Sequence, residues 1–375
     1  MLRDMRIVLM TPDLRGRSGW SRYALDLGRA LAQRGHELHC IVCDASGKPW
    51  CKEYAVLRPP TSYLGSALLC FSHALKTKRL LKRIKPDIVH IIAEPYALMF
   101  PFMRAARWKE ILTIHGTYSV VPLLMGRMIR MLAERYYRRM DHVIAVSTFT
   151  KNYLKRRIPK LADVADRATV IHNAISLDGI DADTAPRPAD RTFSIVSVSG
   201  VKRKKGYLQS VRAIRQFLDV HPVKITYDIV GNDTIDAAFT RELKAEIATL
   251  DLTEIVRFRG SVTDAELDGL YRAADLFLLP SLQEDDYFEG FGLVFIEANA
   301  RGTPAIGGNT GGCPEAIQEE VSGYVCDPED TAALSARIED VLIKNAIDRG
   351  ACRSWAEKHD IDTTASTIEA VYARR

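Results

Sequence analysis

The chain has 375 residues, of which 47% are hydrophobic and 26% are charged, and these values exclude a disordered, a collagen-like or a disulfide-stapled protein. The length predicts two or three domains, and no apolar run reaches the roughly 18 residues that a membrane-spanning helix needs. The formal net charge of +5 combines +14 over residues 1–190 with −9 over residues 191–375, which indicates two halves with different partners. A basic half suits nucleic acid, an anionic membrane surface or a phosphorylated substrate.

Short apolar runs alternate with helical patterns through the first half. The run 7–10 predicts a buried strand, and the loop after it carries Gly16 and Gly19 ahead of apolar residues at helical spacing. Further strands are predicted at 38–43, 87–92, 111–114, 142–146 and 169–172. Strands separated by helices predict a parallel sheet with helices on both faces.

The pattern breaks at residues 178–191, which are polar and contain prolines, and then resumes. The second set of strands is predicted at 193–198, 225–230, 256–259, 276–279 and 305–307. Thr263 and Glu266 have the spacing of a helix capping box. We therefore predict an N-terminal domain over 1–177, a linker over 178–191, a C-terminal domain over 192–358 and a final segment over 359–375. Ligands of such sheets bind at the carboxyl ends of the strands.

The strongest functional signal lies at residues 289–298. Gly290 and Gly292 would let backbone amides approach a ligand at a helix start, where a diphosphate binds favourably. Glu289 in the loop and Glu297 about two turns along the helix have the placement to hydrogen-bond hydroxyl groups at both ends of a nucleotide sugar. Spacing alone is equally compatible with a glycine loop ahead of an amphipathic helix with surface glutamates.

The motif Glu-x7-Glu, in the setting Pro-Ser…Glu-Gly-Phe-Gly…Glu-Ala, resembles the retaining nucleotide-sugar glycosyltransferases of family 4. Neighbouring motifs follow in that family's order at 273–281, 302–306, 311–317 and 323–328. So many ordered motifs are far more specific than a lone glycine loop. The resemblance spans nearly the whole chain and implies an α/β architecture with the GT-B fold. Two Rossmann-like parallel-sheet domains would face each other across a cleft and close around the donor, and the final segment would form a helix that packs back on the N-terminal domain.

The resemblance assigns roles within the strongest motif. Glu289 would hold hydroxyl groups of the donor sugar in a catalytic role, and Glu297 would bind the ribose hydroxyls. The backbone of Phe291, Gly292 and Leu293 would face the sugar and the diphosphate.

The second signal is a row of four cations, Lys202, Arg203, Lys204 and Lys205. Such a row is typical of a solvated surface, but this one follows a predicted strand, at the edge where a ligand is expected. In the family a Lys and an Arg of this loop neutralise the departing diphosphate, and Lys205 matches that Lys. Val201 stands where the family has its Arg, so Lys202 or Arg203 would supply the second charge, and Lys204 is interpreted as solvated.

In the N-terminal half the resemblance points to His115 and Gly19. His115 follows a predicted strand and matches a family histidine that lines the donor-sugar pocket, whereas a lone histidine would favour a structural role. Gly19 lies in the loop after the first strand, whose backbone approaches the diphosphate and the acceptor in the family. His115 is grouped with Lys205 and Glu289 as catalytic, but not as a general base.

Weaker matches complete the predicted site. Gly231 and Val262 are expected to border the nucleotide base, and Glu94 is expected to line the acceptor side. Cys40 and Cys43 have metal-like spacing but lie in a buried strand pattern, so we interpret them as core residues. No metal and no cofactor other than the nucleotide sugar is expected.

A basic amphipathic stretch over 123–139 favours peripheral contact with an anionic membrane. The cationic cluster from Lys76 to Lys85 adds to this signal. The competing interpretation is that the apolar side of the stretch packs on the sheet. The charged N-terminus lacks the apolar run of a signal peptide, so we expect a cytoplasmic protein at the inner face of the cell membrane, with no nucleic-acid partner.

The resemblance thus implies a retaining hexosyltransferase. It would move a hexosyl group from UDP- or GDP-hexose to a hydroxyl of a glycan or lipid-linked acceptor, in bacterial envelope polysaccharide or glycolipid synthesis. The alternative is a non-catalytic GT-B partner protein that binds a sugar nucleotide, which the absence of an arginine at Val201 favours.

Overall fold

The computed structural model describes residues 4–16, 18–103, 108–183 and 191–374. Its contacts divide the chain into unit 1, which comprises Met1–Ser176 and Asp360–Arg375, and unit 2, which comprises Leu177–His359. Residues 184–190 of the predicted linker, Arg17 of the predicted glycine loop and Arg375 at the chain end lie outside the described residues.

Within its described residues, unit 1 contains a seven-stranded parallel sheet in the order β3-β2-β1-β4-β5-β6-β7. Its strands are β1 (Arg6–Met10), β2 (Glu37–Val42), β3 (Cys51–Ala55), β4 (Ile88–Ile91), β5 (Lys109–Ile114), β6 (His142–Ala145) and β7 (Thr169–Val170). Its helices are α1 (Gly19–Gln33), α2 (Ala67–Ile84), α3 (Val121–Leu124), α4 (Arg127–Arg139), α5 (Thr148–Arg157), α6 (Ala162–Arg167) and, from the end of the chain, α14 (Ile361–Ala373). A 3-10 segment, Glu94–Phe102, follows β4.

The strand predictions for unit 1 are confirmed except at one edge. Residues 7–10 of the central strand β1 form a continuous apolar run that is buried on both faces, as a parallel sheet covered by helices requires. Strand β3 was not predicted, because Lys52 and Glu53 break the apolar pattern. It pairs with β2 alone and is partly exposed, so polar side chains are tolerated there.

The final helix α14 belongs to the core of unit 1. Its Glu369 accepts hydrogen bonds from Arg34 at 2.9 and 2.8 Å and lies 2.7 Å from Nε2 of His36. The hydroxyl of Tyr372 lies 2.7 Å from Nδ1 of His90, which is fully buried. The apolar residues of α14 are buried in the same cluster as those of α1 and β1.

The described part of unit 2 has a six-stranded parallel sheet in the order β10-β9-β8-β11-β12-β13. Its strands are β8 (Phe193–Val198), β9 (Ile225–Val230), β10 (Val256–Gly260), β11 (Leu276–Leu279), β12 (Ala305–Gly308) and β13 (Gly323–Cys326). Its helices are α7 (Tyr207–Val220), α8 (Ala237–Thr249), α9 (Asp264–Ala273), α10 (Leu293–Asn299), α11 (Cys313–Ala316), α12 (Thr331–Leu342) and α13 (Arg349–Glu357).

The sequence predicted all strands of unit 2 except the edge strand β13. The predicted capping box is also confirmed. The Thr263 hydroxyl accepts from the Glu266 amide at 3.2 Å, and the Glu266 carboxylate accepts from the Thr263 amide at 2.8 Å. Because the strands are parallel, their carboxyl ends meet at one edge of the sheet. No helix in the described residues is long and apolar enough to cross a membrane.

Candidate functional site

The loops at the carboxyl edge of the unit 2 sheet pack backbone against backbone. A Cβ on Gly206 would lie 2.0 Å from the carbonyl oxygen of Pro280, and one on Gly312 would lie 2.1 Å from that of Gly290. The Gly312 amide also donates to the Glu289 carbonyl at 2.8 Å. Any side chain at either glycine would push these loops apart, so glycine fixes the cationic loop and the Glu289 loop to their neighbours.

A half-buried ion pair joins two predicted catalytic residues across these loops. Nζ of Lys205 lies 2.6 Å from Oε2 of Glu289, and the two side chains are 16% and 27% exposed. Burial lowers the pKa of Lys205, but the charge of Glu289 offsets this and leaves that pKa raised. Burial also raises the pKa of Glu289, yet Lys205 and then Lys204 bring it below its usual value. Both groups are therefore charged at neutral pH.

The other cations of the row point in different directions. Arg203 forms a two-pronged ion pair with Glu242, and its guanidinium lies 5.0 Å from the centre of the Phe239 ring. Lys204 is half-buried, and its ammonium lies 5.7 Å from the centre of the Tyr287 ring, so its interpretation as a solvated residue was wrong. Burial lowers the pKa of Lys204, and the charge of Lys205 adds to this effect.

Lys202 directly precedes the 3-10 turn Arg203–Lys205 and is partly exposed. Val201, which stands where the family has an arginine, is fully buried, and its amide donates to the Asn232 carbonyl at 3.0 Å.

Glu297 is oriented by contacts that the sequence did not indicate. The Tyr271 hydroxyl donates to Oε2 of Glu297 at 3.0 Å, and the Arg301 guanidinium donates to the Glu297 carbonyl at 2.8 Å. That guanidinium also lies 5.1 Å from the centre of the Tyr271 ring. Tyr271 is buried on α9 and Glu297 is half-buried on α10, so the packing of these two helices sets the carboxylate direction.

The Phe291–Leu293 segment offers its backbone at the start of α10. The Phe291 ring is buried and lies 5.5 Å from the His359 ring, so this side chain serves the core. Gly292 has φ +94°, and a Cβ there would lie 2.5 Å from the Phe295 ring. Leu293 is the first residue of α10. The geometry suits the predicted backbone role of these residues.

Gly231 and Val262 lie at the same edge of the sheet. Gly231 follows β9, and a Cβ there would lie 2.2 Å from the carbonyl oxygen of Ser199. Val262 is partly exposed and directly precedes Thr263, the N-cap of α9. Gly231 thus follows β9, which pairs with the strand before the cationic loop, and Val262 follows the edge strand β10.

His115 lies in unit 1, directly after β5. Its ring packs edge-on against Tyr23 with centres 4.8 Å apart, and its Nε2 is buried without a hydrogen-bond partner among the described residues. Burial lowers the pKa of His115 to about 3. The imidazole is therefore neutral at physiological pH, and the hydrogen-bonding capacity of Nε2 is unused among the described residues.

A buried carboxyl group organises the loops around His115. Glu94 is fully buried, accepts from the His115 amide at 2.7 Å through Oε1, and accepts from Nε1 of Trp20 at 2.7 Å through Oε2. Burial raises the pKa of Glu94 to about 7, although these hydrogen bonds act in the opposite direction. The Trp20 ring also lies 5.0 Å from that of Tyr118. Sequence reasoning placed Glu94 near the acceptor but missed its link to Trp20 and His115.

The predicted glycine loop of unit 1 is held by side chains. The Ser21 hydroxyl donates to Asp13 at 2.5 Å and accepts from the Gly16 amide at 2.8 Å. Gly19 is the first residue of α1, it is exposed, and a Cβ there would meet nothing within 4 Å. The protein's own packing therefore does not require glycine at position 19.

Solved structures resemble this protein over nearly the whole chain. Sucrose-phosphate synthase from Thermosynechococcus elongatus superimposes with a TM-score of 0.79 over 98% of both chains, at 21% identity. HepE of Anabaena, solved in complex with UDP-glucose, gives 0.75 over 98% of this chain and 99% of its own, at 18% identity. These likenesses confirm the predicted GT-B fold class.

Two family profiles cover most of the sequence. "Glycosyltransferase Family 4" matches residues 17–178, and "Glycosyl transferases group 1" matches residues 182–359. The chain belongs to the glycosyltransferases of family 4.

Curated relatives extend over both matched regions. A glycogen synthase of Mycobacterium tuberculosis is 28% identical over 83% of this chain and 74% of its own. A GDP-mannose-dependent alpha-(1-6)-phosphatidylinositol monomannoside mannosyltransferase of the same organism is 25% identical over 93% of each chain.

Proposed function

We propose that this protein is a retaining hexosyltransferase that uses a nucleotide diphosphate sugar. The hexosyl group would pass to a hydroxyl of a glycan or lipid-linked acceptor in bacterial envelope polysaccharide or glycolipid synthesis. The observation that carries the proposal is the half-buried pair of Lys205 and Glu289 at the glycine-packed edge of unit 2.

The pair supports two different contacts with a donor. The Lys205 ammonium has three N–H donors and Glu289 takes one of them, so two remain for oxygens of a diphosphate. Glu289 stays ionised beside Lys205, and a carboxylate accepts hydrogen bonds from sugar hydroxyls. As the glycosidic bond breaks, charge grows on the departing diphosphate, and the fixed ammonium lowers the energy of that state.

The ribose contact follows from the orientation of Glu297. Because Tyr271 binds Oε2, we assign Oε1 of Glu297 to the ribose hydroxyls. For the second cation we favour Lys202, since Arg203 is engaged with Glu242. The amides of Phe291, Gly292 and Leu293 would face the sugar and the diphosphate.

The unit 1 residues would act as neutral hydrogen-bonding groups. His115, with its pKa lowered to about 3 by burial, would bind a sugar hydroxyl through Nε2 rather than remove a proton. The Gly19 backbone would approach the substrates. Since Lys205 and a neighbouring cation would balance the leaving-group charge, we expect transfer to persist in EDTA.

The relatives narrow the choice of donor to test. One relative's name specifies GDP-mannose, and one solved structure with the same fold holds UDP-glucose. UDP-hexoses and GDP-mannose are therefore the first donors to try.

A thermal-shift panel of UDP, GDP, ADP and their hexoses tests the donor site. A ligand at 100 times its dissociation constant stabilises a protein by about 2.7 kcal/mol. We expect one nucleotide to stabilise the wild type and the Glu254→Gln control, whose side chain is exposed. Lys205→Met and Glu297→Gln should lose the shift. A panel in which no nucleotide acts, or in which the variants respond like the wild type, would overturn the proposed donor site.

The non-catalytic alternative keeps one specific observation in its favour. The buried Val201 leaves the family's arginine position without a cation. Release of nucleotide from the stabilising donor, measured with and without acceptor glycans, separates the two functions. Binding without any release would favour the partner protein.

A further inference from the structure

One row of exposed side chains along helix α2, here called its stripe, changes from apolar to basic along the helix. Leu68, Phe71 and Leu75 are 76%, 44% and 41% exposed, and Arg79 and Lys82 continue the same three- and four-residue spacing and are exposed too. Residues at this spacing share one face of a helix. The stripe is therefore apolar over its first half and basic over its second.

Helix α4 repeats this arrangement. Met128 and Met131 are 54% and 39% exposed, and Arg135 and Arg138 continue the stripe on the solvent side. Leu124, at the end of α3, adds an apolar side chain that is 39% exposed. The opposite side of α4 is buried, so the solvent-facing stripe occupies only one face of this helix.

The two stripes lie on the same side of the unit 1 sheet and run in the same direction. Helix α2 leads from β3 to β4 and α4 leads from β5 to β6, and both crossovers move the same way across the strand order. Because such crossovers are right-handed, both helices cover one face. Both also pack against the Glu94–Phe102 segment, where Phe71 meets the Phe102 ring at 5.6 Å.

The apolar halves of the stripes lie near the predicted acceptor residues. Each crossover helix runs antiparallel to the strands, so it begins near their carboxyl ends and ends near their amino ends. His115 and Glu94 lie at the carboxyl edge, and the apolar side chains lie on that half of the two helices.

The charges on these helices have few acidic neighbours. Helix α2 contains no Asp or Glu, and α4 contains Glu134 alone. Arg79, Lys82 and Arg135 form no ion pair among the described residues, while Arg138 lies 3.8 Å from Asp163. Exposed apolar side chains beside unpaired cations match a bilayer surface, where anionic phosphates border hydrocarbon.

We propose that this face of unit 1 binds an anionic lipid bilayer. The apolar side chains of α2, α3 and α4 enter the boundary between headgroups and acyl chains, and the basic halves of the stripes contact lipid phosphates. Binding to the bilayer does not depend on the proposed function. The proposed function enters only where a lipid-linked acceptor would reach the carboxyl edge of the unit 1 sheet from the bound bilayer.

Co-sedimentation of the full chain with vesicles tests the proposal. We expect binding to an equimolar mixture of phosphatidylglycerol and phosphatidylcholine, little binding to phosphatidylcholine alone, and release at high salt. Each Lys or Arg near an anionic surface contributes about fivefold in affinity, so Arg79→Gln with Lys82→Gln should weaken binding about 30-fold. Leu68→Ser with Met128→Ser should weaken it about tenfold through lost apolar burial.

Matched pairs in unit 2 provide the controls. Lys224→Gln with Arg241→Gln removes two exposed cations, and Val220→Ser with Ile343→Ser removes apolar side chains that are 70% and 36% exposed. These pairs should leave vesicle binding unchanged. Equal weakening by the controls, or no binding to anionic vesicles, would overturn the proposal.

A second copy of the chain is the main competing occupant. Sedimentation velocity without vesicles measures the oligomeric state. If the protein does not bind vesicles but forms a dimer, and Leu68→Ser with Met128→Ser dissociates that dimer, the lipid surface is rejected. The nucleotide thermal shift of the same variants should stay at the wild-type value, so a failed donor site and a failed docking surface give different results.

Discussion

The two units share one architecture but fix the loops at the carboxyl edges of their sheets in different ways. In unit 2, Gly206, Gly231 and Gly312 bring one loop backbone against another, and no side chain fits between them. In unit 1, Glu94 joins Trp20 to the His115 amide through hydrogen bonds. The charges differ as well, since unit 1 has 32 Lys and Arg against 16 Asp and Glu, whereas unit 2 has 20 against 31.

This difference has consequences for how each edge responds to change. Backbone contacts have no protonation state and tolerate no added atoms, so the backbone packing of the unit 2 edge should not itself titrate and should be sensitive to any glycine substitution. Hydrogen bonds to a buried carboxyl group titrate, so the unit 1 edge should respond to pH. The following variants test that contrast.

Lys205→Met should have the largest effect. Loss of a positive group at the leaving diphosphate should slow transfer about 10²–10³-fold. It should also cost about 2 kcal/mol of unfolding free energy, because Glu289 keeps its charge in a site where it is 27% exposed. Initial rates of nucleotide release and urea denaturation measure the two effects.

The double variant Lys205→Met with Glu289→Gln separates function from stability. Removal of both charges should restore most of the unfolding free energy but none of the rate. A double variant that recovered activity would show that the pair serves only to hold the loops together.

Gly312→Ala tests the backbone packing of unit 2. Gly312 has φ −90°, which alanine adopts freely, so the expected loss comes from contact with the backbone of Gly290 and Phe291. We expect a loss of about 3 kcal/mol of unfolding free energy, measured by chemical denaturation. The control Gly269→Ala, in α9 with nothing within 4 Å of the added Cβ, should gain about 0.5–1 kcal/mol. Equal results for the two variants would contradict the packing described.

Glu94→Gln tests the titratable edge of unit 1. The folded-state pKa of Glu94 is raised to about 7 from 4.5, so the native state holds a proton that the unfolded chain has released in this range. Wild-type unfolding free energy should therefore fall, by at most about 3 kcal/mol from this group, as the pH rises from 4.5 to about 7. The difference between Glu94→Gln and wild type isolates this slope, since His90 and His115 titrate in both proteins.

Glu37→Gln is the control of opposite sign. The hydrogen bond from Arg6, followed by that from His39, lowers the pKa of Glu37 to about 2. Its contribution is therefore present above 4.5 and lost as the pH falls toward 2. A Glu94→Gln difference that did not change between pH 4.5 and 7 would mean that this carboxyl group is already ionised in the folded protein.

Gly19→Ala should have the smallest effect on stability. The added Cβ meets open space, and alanine is the better helix former, so unfolding free energy should rise by less than about 1 kcal/mol. If a substrate approaches this backbone, KM for donor or acceptor should rise about tenfold while Gly269→Ala leaves it unchanged. An unchanged KM in Gly19→Ala would remove Gly19 from the site.

The fold was largely predictable because each buried strand is an apolar run with helical patterns on either side. The exceptions are edge strands. Strand β3 carries Lys52 and Glu53 on a partly exposed edge, where packing does not demand apolar residues. Strand β13 is short and begins with Gly323, so its residues were interpreted as part of a family motif and not as a strand.

The sequence predicted only those residues of the candidate site that belong to a motif within one short stretch of the chain. Lys205 and Glu289 were found separately, by their settings after two strands. Their partners were not, because Tyr271 lies 26 residues before Glu297 and Trp20 lies 74 residues before Glu94. Such contacts depend on helix packing, and nothing in the local pattern encodes it.

The place of α14 in the core of unit 1 affects the order in which the protein can fold during synthesis. The chain completes β7 and then makes all of unit 2 before it reaches Ile361. Until then, the apolar face of α1 lacks its cover and His90 lacks Tyr372 as a partner. On the ribosome, the unit that is made first is therefore finished last, and its exposed face depends on chaperones or on rapid elongation until the final helix emerges.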